Sequence, residues 1–360
     1  MEIVERLEKA YYGKRVFITG HTGFKGSWLI VLLKYLGANI KGYALPPVNN
    51  DLYLNIQESI NIESVYDDIR NYESLKKEIL EYQPDYLIHL AAQPLVLDGY
   101  RDPRYTMDVN VMGTCNVLEA LRQMSNTCKT IIVTTDKVYE EDHTIEAYKE
   151  SDRLSGVDPY SGSKSACELV TKSYIKSYFN ESAKSYVGVV RAGNVIGGGD
   201  FSENRIVPDI IRSLSMNQAV QVRNPHAVRP WQHVVDPLIG YLLFAARLGH
   251  IVDKDFFALN FGPDKAETMN VLDLVKNCLN LWGDGAYETV INESAPKESR
   301  FLKLDSIQAK HLLKWQPYFN SAEAISTTMD WYKRVIVDGE SPYHVTLSQI
   351  QEILTNDSSL

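Results

Sequence analysis

A glycine-rich segment between the first predicted strand and the first predicted helix constrains this chain more than any other feature. Gly20-His21-Thr22-Gly23-Phe24-Lys25-Gly26 directly follows the apolar segment Arg15–Thr19. Glycines at such a junction permit a tight turn, let a pyrophosphate approach the backbone and bring the helix close to the strand. The free N–H groups at the start of the helix then face the anion. An ordinary glycine-rich turn is the alternative, but the position predicts a dinucleotide-binding turn whose seven residues contact the cofactor.

Apolar runs alternate with helical patterns through the first half of the chain. This alternation predicts βαβ units, and therefore an α/β fold with a Rossmann-type, doubly wound parallel sheet. The predicted strands cover residues 15–19, 40–44, 85–90, 130–135 and 185–191, and the predicted helices cover residues 23–36, 106–124 and 159–179.

The regular alternation of strands and helices stops after residue 191. Residues 192–201 are rich in glycine and are predicted to form a loop. We therefore predict an NAD-binding Rossmann domain over residues 1–191. Residues 192–340 are predicted to form mainly a smaller C-terminal substrate-binding domain, some of whose segments can return to the main sheet. Residues 341–360 form a C-terminal tail with room for one last helix.

Charge and cysteine usage exclude several classes of function. The net charge is −9 with no polybasic run, which argues against nucleic acid or an anionic membrane as a partner. No CxxC pair occurs, so we expect reduced, packed thiols and neither a disulfide framework nor a metal site. No leader and no apolar stretch of about 18 residues is present, which predicts a cytoplasmic protein that does not span a membrane. The four cysteines are Cys115, Cys128, Cys167 and Cys278.

The spacing of the glycines and the end of the second strand favour NAD as the cofactor. GxxGxxG is typical of the short-chain dehydrogenase group. The segment Lys41-Gly42-Tyr43-Ala44 has no acidic residue to bind a ribose, and no arginine follows at once to bind a 2′-phosphate. NAD is therefore predicted over NADP. Asp68-Ile69 is a candidate adenine contact, although a role as turn residues fits this pair equally well.

Tyr160 and Lys164 lie four residues apart, on one face of a predicted helix. A lysine ammonium near a phenol stabilises the phenolate and turns the tyrosine into a base that works near neutral pH. The pair Tyr72 and Lys76 has the same spacing and is interpreted as a solvated helix face. Context separates the two pairs, because Pro159 starts the later helix after the strand that ends at Thr135.

Thr135-Asp136-Lys137 places an acid and a potential base beside the predicted tyrosine. A reductase or epimerase of this type needs only a hydroxyl donor there, so the extra pair suggests additional proton transfers. A strand-end turn whose charges face water is the alternative. Neighbours on a strand point to opposite faces, so we expect the chain to leave regular strand geometry here.

Cationic and aromatic segments follow in the second half. Arginine suits a diphosphate because its donors form a planar fork. Each arginine alone is more typical of a surface ion pair than of a ligand contact, but together they suggest a nucleotide-sugar pocket. The segments begin at Arg191, Arg205 and Asn224, and include Asn194 and Arg229.

These residues resemble the CDP-glucose 4,6-dehydratases, which belong to the extended short-chain dehydrogenase/reductase superfamily. The resemblance extends from about residue 13 to about residue 332. Its most specific segments are GKRVFITGHTGFKGSWL, HLAAQPLV, RAGNVIGGGD, RIVPDI, NPHAVRPWQHV and LKLD, which begin at Gly13, His89, Arg191, Arg205, Asn224 and Leu302. The chain departs from the group's usual residues at Leu97, Val138 and Arg300-Phe301.

The resemblance implies an NAD-dependent lyase that converts CDP-glucose to CDP-4-keto-6-deoxyglucose for dideoxysugar and surface polysaccharide synthesis, and that forms a homodimer. Its implied catalytic residues are Thr135, Asp136, Lys137, Tyr160 and Lys164. Further implied cofactor contacts are Leu90, Ala91, Ala92 and Asn110, and the implied substrate contacts are Gln93, Asn194, Arg205, Arg229, Asn260 and Arg300. The alternatives are a 4,6-dehydratase or 4-epimerase for another nucleotide-sugar, or a non-catalytic NAD-binding regulator.

Overall fold

The computed structural model describes residues 3–48, 51–142, 145–179, 184–250, 257–263, 269–290 and 303–356. Strands in these ranges are β1 (Arg15–Thr19), β2 (Asn39–Ala44), β3 (Glu63–Tyr66), β4 (Tyr86–His89), β5 (Cys128–Val133), β6 (Ser185–Ala192), β7 (Val195–Ile196), β8 (Val220–Val222), β9 (Val228–Arg229), β10 (Gln232–His233), β11 (Ala258–Phe261), β12 (Met269–Asn270) and β13 (Tyr287–Thr289).

Helices surround these strands. They are α1 (Ile3–Tyr11), α2 (Phe24–Tyr35), α3 (Leu52–Ile60), α4 (Tyr72–Tyr82), α5 (Val96–Arg101), α6 (Pro103–Met107), α7 (Gly113–Arg122), α8 (Pro159–Tyr178), α9 (Ile206–Ser215), α10 (Val235–Arg247), α11 (Val271–Trp282), α12 (Ile307–Leu313), α13 (Ser321–Tyr332) and α14 (Pro342–Asn356). Within the described ranges, no helix is both long enough and apolar enough to cross a membrane.

The central sheet has seven parallel strands in the order β11-β6-β5-β4-β1-β2-β3. The chain runs outward from β1 through β2 to β3, and then returns to β4 on the other side of β1. This reversal between β1 and β4 is the topological switch point at which doubly wound sheets bind ligands. The glycine turn follows β1, so the fold places it at that point.

Alternate residues of each central strand enter hydrophobic layers on opposite faces of the sheet. Val16 and Ile18 pack into one buried layer, whereas Phe17 between them packs into the other. Successive strand side chains point to opposite faces, so a strand covered by helices on both sides must be apolar throughout. This pattern explains the continuous apolar run that identified β1 in the sequence.

The predicted Rossmann-type sheet is confirmed, and the predicted strands match those observed to within two residues at each end. The single helix predicted for residues 106–124 is instead α6, a π-helical turn at Asp108–Met112, and α7. The predicted loop at 192–201 contains the short strand β7. From the second half of the chain, β11 returns to the main sheet and pairs with β6.

The C-terminal tail contains the helix α14, which packs on α2 and α3. Ile350 and Ile353 are buried in the hydrophobic layer that contains α2. The Trp331 indole N–H donates to Thr346 Oγ1 at 2.9 Å. The end of the chain therefore supports the helix that follows the glycine turn.

Candidate active site

A cavity of about 650 Å³ opens at the carboxyl ends of the central strands. Residues from the glycine turn form one wall, and the ends of β2, β4 and β5 contribute to the base. Residues of α8, α9 and the segment after β6 complete the lining. A cavity of this size that crosses the switch point fits an extended dinucleotide together with a second ligand.

The glycine turn combines two positions that need glycine for the fold with one that does not. Gly20 has φ +77°, and a Cβ there would lie 2.7 Å from Ala91 N. A Cβ on Gly26 would lie 2.2 Å from Gly20 O, because α2 packs directly on the turn. Gly23 is exposed, and a Cβ there would meet only Gly20 O at 3.6 Å. Its missing side chain therefore suits a ligand that approaches the backbone from the cavity.

The start of α2 is also suited to an anion. Its N-cap residue is Gly23, and no side chain caps the first N–H groups of the helix. Thr22, Phe24 and Lys25 line the cavity around this helix end. These residues fit the pyrophosphate of a dinucleotide, since backbone N–H groups and the helix dipole both favour negative charge.

His21 is the exception in this turn, because it does not line the cavity, and its cofactor contact stays a prediction. Its ring lies outside the cavity, packs over Gly42 on β2 and contacts the Ser64 hydroxyl at 3.1 Å. Burial lowers the pKa of His21 to about 4, so the ring is neutral at physiological pH. The residue after Gly20 points toward the neighbouring strand, and this tertiary contact decides its role.

The ends of β2 and β3 form the part of the cavity nearest the expected adenosine. Lys41 points away from the cavity and pairs with Glu63 and Glu78 at 2.5 and 2.7 Å. Asp68 and Ile69 line the cavity, as the sequence predicted for an adenine contact. Hydrogen bonds from Arg70 hold the pKa of Asp68 below its ordinary value, so its carboxylate can accept a hydrogen bond from a bound ligand.

The segment after β4 divides into residues that line the cavity and residues that support it. Leu90, Ala91 and Ala92 line the cavity. Asn110 lies outside it: Asn110 Oδ1 accepts from Gln93 N at 2.8 Å and Nδ2 donates to Ser163 Oγ at 2.8 Å. Neither Asn110 nor Gln93 lines the cavity, so their direct contacts with ligands stay predictions. The Gln93 amide instead donates to Thr106 and accepts from Leu95 N.

Thr135, Asp136 and Lys137 all line the cavity, on a turn that leaves strand geometry as predicted. A 3₁₀ turn at Asp136–Val138 follows β5, and Thr135 caps it. The Thr135 hydroxyl donates to Asp136 Oδ1 at 2.9 Å. Asp136 is 5% exposed and its other carboxylate oxygen lies against Gly193, where a Cβ would approach to 3.1 Å.

Burial raises the pKa of Asp136 above its ordinary value. The charge of Lys137 opposes this shift most strongly, followed by the Thr135 hydrogen bond and the charges of Arg229 and Lys25. Within the described residues, Asp136 and Lys137 do not form an ion pair with each other. The carboxyl group is thus held closer to its protonated form than an exposed aspartate is.

Tyr160 and Lys164 face the same cavity from the first turns of α8. Asp158 caps this helix through the Tyr160 and Ser161 N–H groups, and Pro159 occupies its first turn. Burial raises the pKa of Tyr160 to about 12, a shift that Thr135 and Arg205 partly oppose. Burial lowers the pKa of Lys164, whose Nζ donates to Val133 O at 3.1 Å.

Cationic and polar groups form the opposite wall. Asn194, Arg205 and Arg229 line the cavity, as predicted for a nucleotide-sugar pocket. Arg205 Nη1 donates to Asp200 Oδ2 at 2.8 Å. Burial lowers the pKa of Lys25 to about 8, helped by the charges of Arg205 and Lys164 and opposed by Asp136. The guanidinium groups of Arg205 and Arg229 and the ammonium of Lys25 thus lie around the cavity, where such donors suit a diphosphate.

Three other residues of the predicted substrate pocket have different positions. Asn260 is fully buried outside the cavity, where it donates to Tyr148 O at 2.9 Å. Arg191 is also buried, and it pairs with Glu168. Arg300 lies outside the described residues. Neither Asn260 nor Arg191 lines the cavity, so their predicted roles in substrate binding stay untested.

Sequence reasoning missed two acidic residues that hold the site. Asp200 orients Arg205, and Glu168 accepts from both Thr134 and Arg191. Glu168 stands four residues after Lys164 on the same helix face, which is a usable signal. Asp200 ends the GGGD segment five residues before Arg205, but its pairing depends on the path of the loop.

Comparisons with known proteins agree with this geometry. A profile of the GDP-mannose 4,6 dehydratase family matches residues 17–328. The CDP-glucose 4,6-dehydratase of Salmonella typhimurium is 42% identical over 328 residues, which cover 90% of this chain and 91% of that protein. This relative confirms the resemblance found in the sequence.

Solved structures share the fold. The dTDP-glucose 4,6-dehydratase of Bacillus anthracis, in complex with NAD, matches with a TM-score of 0.75 and 22% identity, covering 90% of this chain and 98% of that one. The UDP-glucuronic acid 4-epimerase of Bacillus cereus, in complex with UDP-glucuronic acid and NAD, matches with a TM-score of 0.77 and 21% identity, covering 89% and 99%. The extent of the profile match and the identity to the Salmonella protein show that this chain belongs to the GDP-mannose 4,6 dehydratase family of the extended short-chain dehydrogenases/reductases.

Proposed function

We propose that this protein is an NAD-dependent hydro-lyase that converts CDP-glucose to CDP-4-keto-6-deoxyglucose. The observation that carries the proposal is the meeting of two reactive pairs in one cavity: Tyr160 with Lys164, and Asp136 with Lys137. The first pair serves oxidation at the sugar C4. The second supplies the acid and the base that removal of water requires.

The first step needs a base at the 4-hydroxyl of the sugar. Tyr160 accepts that proton, and Thr135 hydrogen-bonds the same hydroxyl. The glycine turn, Asp68 and Ile69 would hold NAD, which would supply a hydride acceptor for C4 and a hydride donor for C6. Its positive charge and the Lys164 ammonium both favour the phenolate, which offsets the burial that raises the pKa of Tyr160 to about 12.

The second step needs groups of opposite function at neighbouring carbons. The C4 ketone acidifies the C5 proton, and Lys137 removes it. Asp136 protonates the departing 6-hydroxyl, and its raised pKa suits this role as a general acid. The hydride that left C4 ends at C6, and Lys137 returns a proton to C5. Exchange with water removes the proton that Tyr160 took up and replaces the one that Asp136 gave, so the overall reaction is loss of one water without net oxidation.

The cationic wall supports binding of the nucleotide diphosphate. Arg205 and Arg229 both line the cavity and offer planar donors to phosphate oxygens. Asn194 stands beside them. Asp200 holds the Arg205 guanidinium in place, which reduces the entropy that the side chain loses when substrate binds.

A mass-spectrometric assay of the purified protein with added NAD and CDP-glucose tests the proposal directly. The expected product is lighter by one water, and no NADH accumulates at the end. A Tyr160→Phe variant is the matched control, because it keeps the ring and loses the base. Unchanged CDP-glucose would remove the substrate assignment, and a panel of GDP-, UDP- and dTDP-sugars would then identify the nucleotide.

We also propose a cytoplasmic homodimer that pairs through α6, α7 and α8. The side chains of Met107, Met112, Leu169 and Tyr178 are large, apolar and 40–59% exposed on these helices or the π-helical turn between them. Such a surface is costly in a monomer and is buried readily in a symmetric pair. Sedimentation velocity is expected to give the mass of two chains, and a single-chain mass would exclude this assembly.

A further inference from the structure

The turn that carries Asp136 and Lys137 is held from behind by a buried polar network. Thr134 of this network lines the cavity, whereas Glu168, Arg191, Tyr139 and Asn260 lie outside it. Upstream of the turn, the Thr134 hydroxyl donates to Glu168 Oε1 at 2.7 Å. Downstream, the Tyr139 hydroxyl donates to Asn260 Oδ1 at 2.7 Å. The turn is therefore anchored on both sides, by groups that belong to α8 and β11.

Both anchors meet at Arg191. Its Nη1 donates to the Tyr139 hydroxyl at 2.7 Å, and its Nε donates to Glu168 Oε1 at 2.8 Å. The side chains of Arg191 and Glu168 are 1% and 0% exposed. A fully buried ion pair is weak support for stability, because desolvation offsets the attraction. Its value here lies in geometry: a satisfied buried network fixes the position of every group it contacts.

The Tyr139 phenol is the link between this network and the reactive turn. Tyr139 is 1% exposed and follows directly after Val138, the last residue of the turn. Its ring stacks on Tyr148 with centroids 4.9 Å apart, and this contact holds the plane of the ring. The hydroxyl adds two hydrogen bonds that fix the ring along its long axis, and hence the backbone two residues from Lys137.

We propose that the Tyr139 hydroxyl is a positioning group for Lys137, which it holds in register with the sugar C5. This inference rests on the proposed dehydration. It gives Tyr139 a role in the elimination of water, which follows the oxidation at C4. A displacement of about 1 Å can lower the rate of a positioned step a hundredfold. Tyr160, which starts the first half, is positioned independently by its own helix cap. Loss of the Tyr139 hydroxyl is therefore expected to slow elimination and to leave C4 oxidation intact.

A Tyr139→Phe variant tests this under single-turnover conditions, with the holoenzyme in excess over CDP-glucose. NADH absorbance reports oxidation as it rises and hydride return as it decays, and rapid quenching reports product. We expect the rise within twofold of wild type, the decay and the product at least tenfold slower, and an unchanged KM. Hydrogen exchange of a peptide covering residues 134–140, measured without added ligands, is expected to be faster than in wild type.

Tyr11→Phe is the matched control, because Tyr11 is also fully buried and its hydroxyl donates to Leu242 O at 2.8 Å, away from the cavity. This control is expected to behave as wild type in both phases. If Tyr139→Phe does not fold, Thr134→Val removes the upstream anchor at constant shape, and the same selective slowing of decay is expected.

Two results overturn the inference while the proposed function stands. One is wild-type decay and wild-type hydrogen exchange in the variant. The other is equal slowing of rise and decay, which would mean that the hydroxyl supports the whole site. A wild-type protein that dehydrates no nucleotide-sugar discards the proposed function, and this inference with it.

Discussion

Asp136 shows at the scale of one residue how burial prepares a side chain for chemistry. The carboxyl group is 5% exposed, and desolvation raises its pKa although Lys137, Arg229 and Lys25 all favour its charged form. These opposing influences leave the group able to change protonation during a turnover. An exposed aspartate at the same sequence position would stay ionised, and it would then be a poor proton donor at neutral pH.

The proposed role of Lys137 as the base at C5 can be tested by replacing this one side chain. Lys137→Ala removes the proposed base at C5, while Tyr160, Lys164 and Thr135 remain. We expect water loss to fall about a hundredfold or more. NADH is still expected to form from NAD and CDP-glucose at the wild-type rate, and then to persist.

Lys14→Ala, at an exposed lysine ahead of β1, is the control and is expected to keep full activity. In deuterated water, C5 of the sugar is expected to gain deuterium with wild type but not with Lys137→Ala. Normal dehydration by the variant would contradict the assignment of Lys137.

At the scale of an element, the junction between β1 and α2 separates what glycine does for the fold from what it does for a ligand. Gly20 needs a positive φ, and Gly26 needs space beside Gly20 O. Gly23 needs neither. The three glycines of this motif are therefore needed for different reasons. Gly20 is needed for its backbone angle, Gly26 for close packing of the helix, and Gly23 for the approach of a ligand.

Paired alanine substitutions at this junction test the distinction. Gly26→Ala places a Cβ where Gly20 O lies, so we expect loss of both stability and NAD binding. Gly23→Ala fits the fold, since φ is −75° and the nearest atom outside its chain neighbours is 3.6 Å from the new Cβ. It is expected to keep the wild-type melting temperature and to bind NAD at least tenfold more weakly.

Thermal unfolding and calorimetric titration with NAD measure these two properties separately. If Gly23→Ala bound NAD as tightly as wild type, the pyrophosphate would not lie on this turn.

The helix α14 gives a second prediction at the element scale. Ile350 is fully buried where α14 packs on the layer that contains α2. Ile350→Ala leaves a cavity there, so we expect the free energy of unfolding to fall by about 2–5 kcal/mol. Urea denaturation measures the loss. Glu352→Ala, at an exposed site on the same helix, is expected to change stability by less than about 0.5 kcal/mol.

At the scale of the whole molecule, three buried histidines in separate regions link stability to pH. Burial lowers the pKa of His21 to about 4, and the pKa values of His89 and His233 to about 3. Each imidazole is neutral in the folded protein, whereas in the unfolded chain it titrates near 6.5. The unfolded state thus binds more protons between about pH 6.5 and pH 4, so stability falls as the pH falls through that range.

Burial also raises the pKa of Asp236 to about 7, so the folded protein holds a proton there that the unfolded chain releases, and this offsets about one histidine. We expect the free energy of unfolding to drop between pH 6 and pH 5 with a slope that approaches two protons, or about 3 kcal/mol per pH unit. Urea denaturation at several pH values measures this slope. His89→Gln retains partners for the Thr19 and Thr114 hydroxyls, which lie 2.7 and 3.2 Å from the ring nitrogens. It is expected to reduce the slope by about one proton, and an unchanged slope would exclude His89 as a contributor.

Local rules of chain geometry made much of the molecule predictable from its sequence. The alternation of apolar runs with helical patterns identified β1, β2 and β5 because strands buried on both faces are mostly apolar. The spacing of Tyr160 and Lys164 placed both on one face of α8, because residues four apart are neighbours on a helix. The glycine motif predicted the turn between β1 and α2. Its positive backbone angle and the close approach of the helix to the turn depend on only a few adjacent residues.

Only the tertiary structure decided which polar side chains face the cavity. His21, Arg191 and Asn260 have the same chemistry as residues that line the site, yet each is drawn into contacts with a distant segment. Arg191 meets Glu168 from α8, and Asn260 meets Tyr139 from the turn after β5. A buried donor must find an acceptor, and the partner that satisfies it can lie more than 100 residues away along the chain. The sequence by itself therefore determined the sheet and the residue types of its reactive edge, while long-range packing decided which of those residues meet.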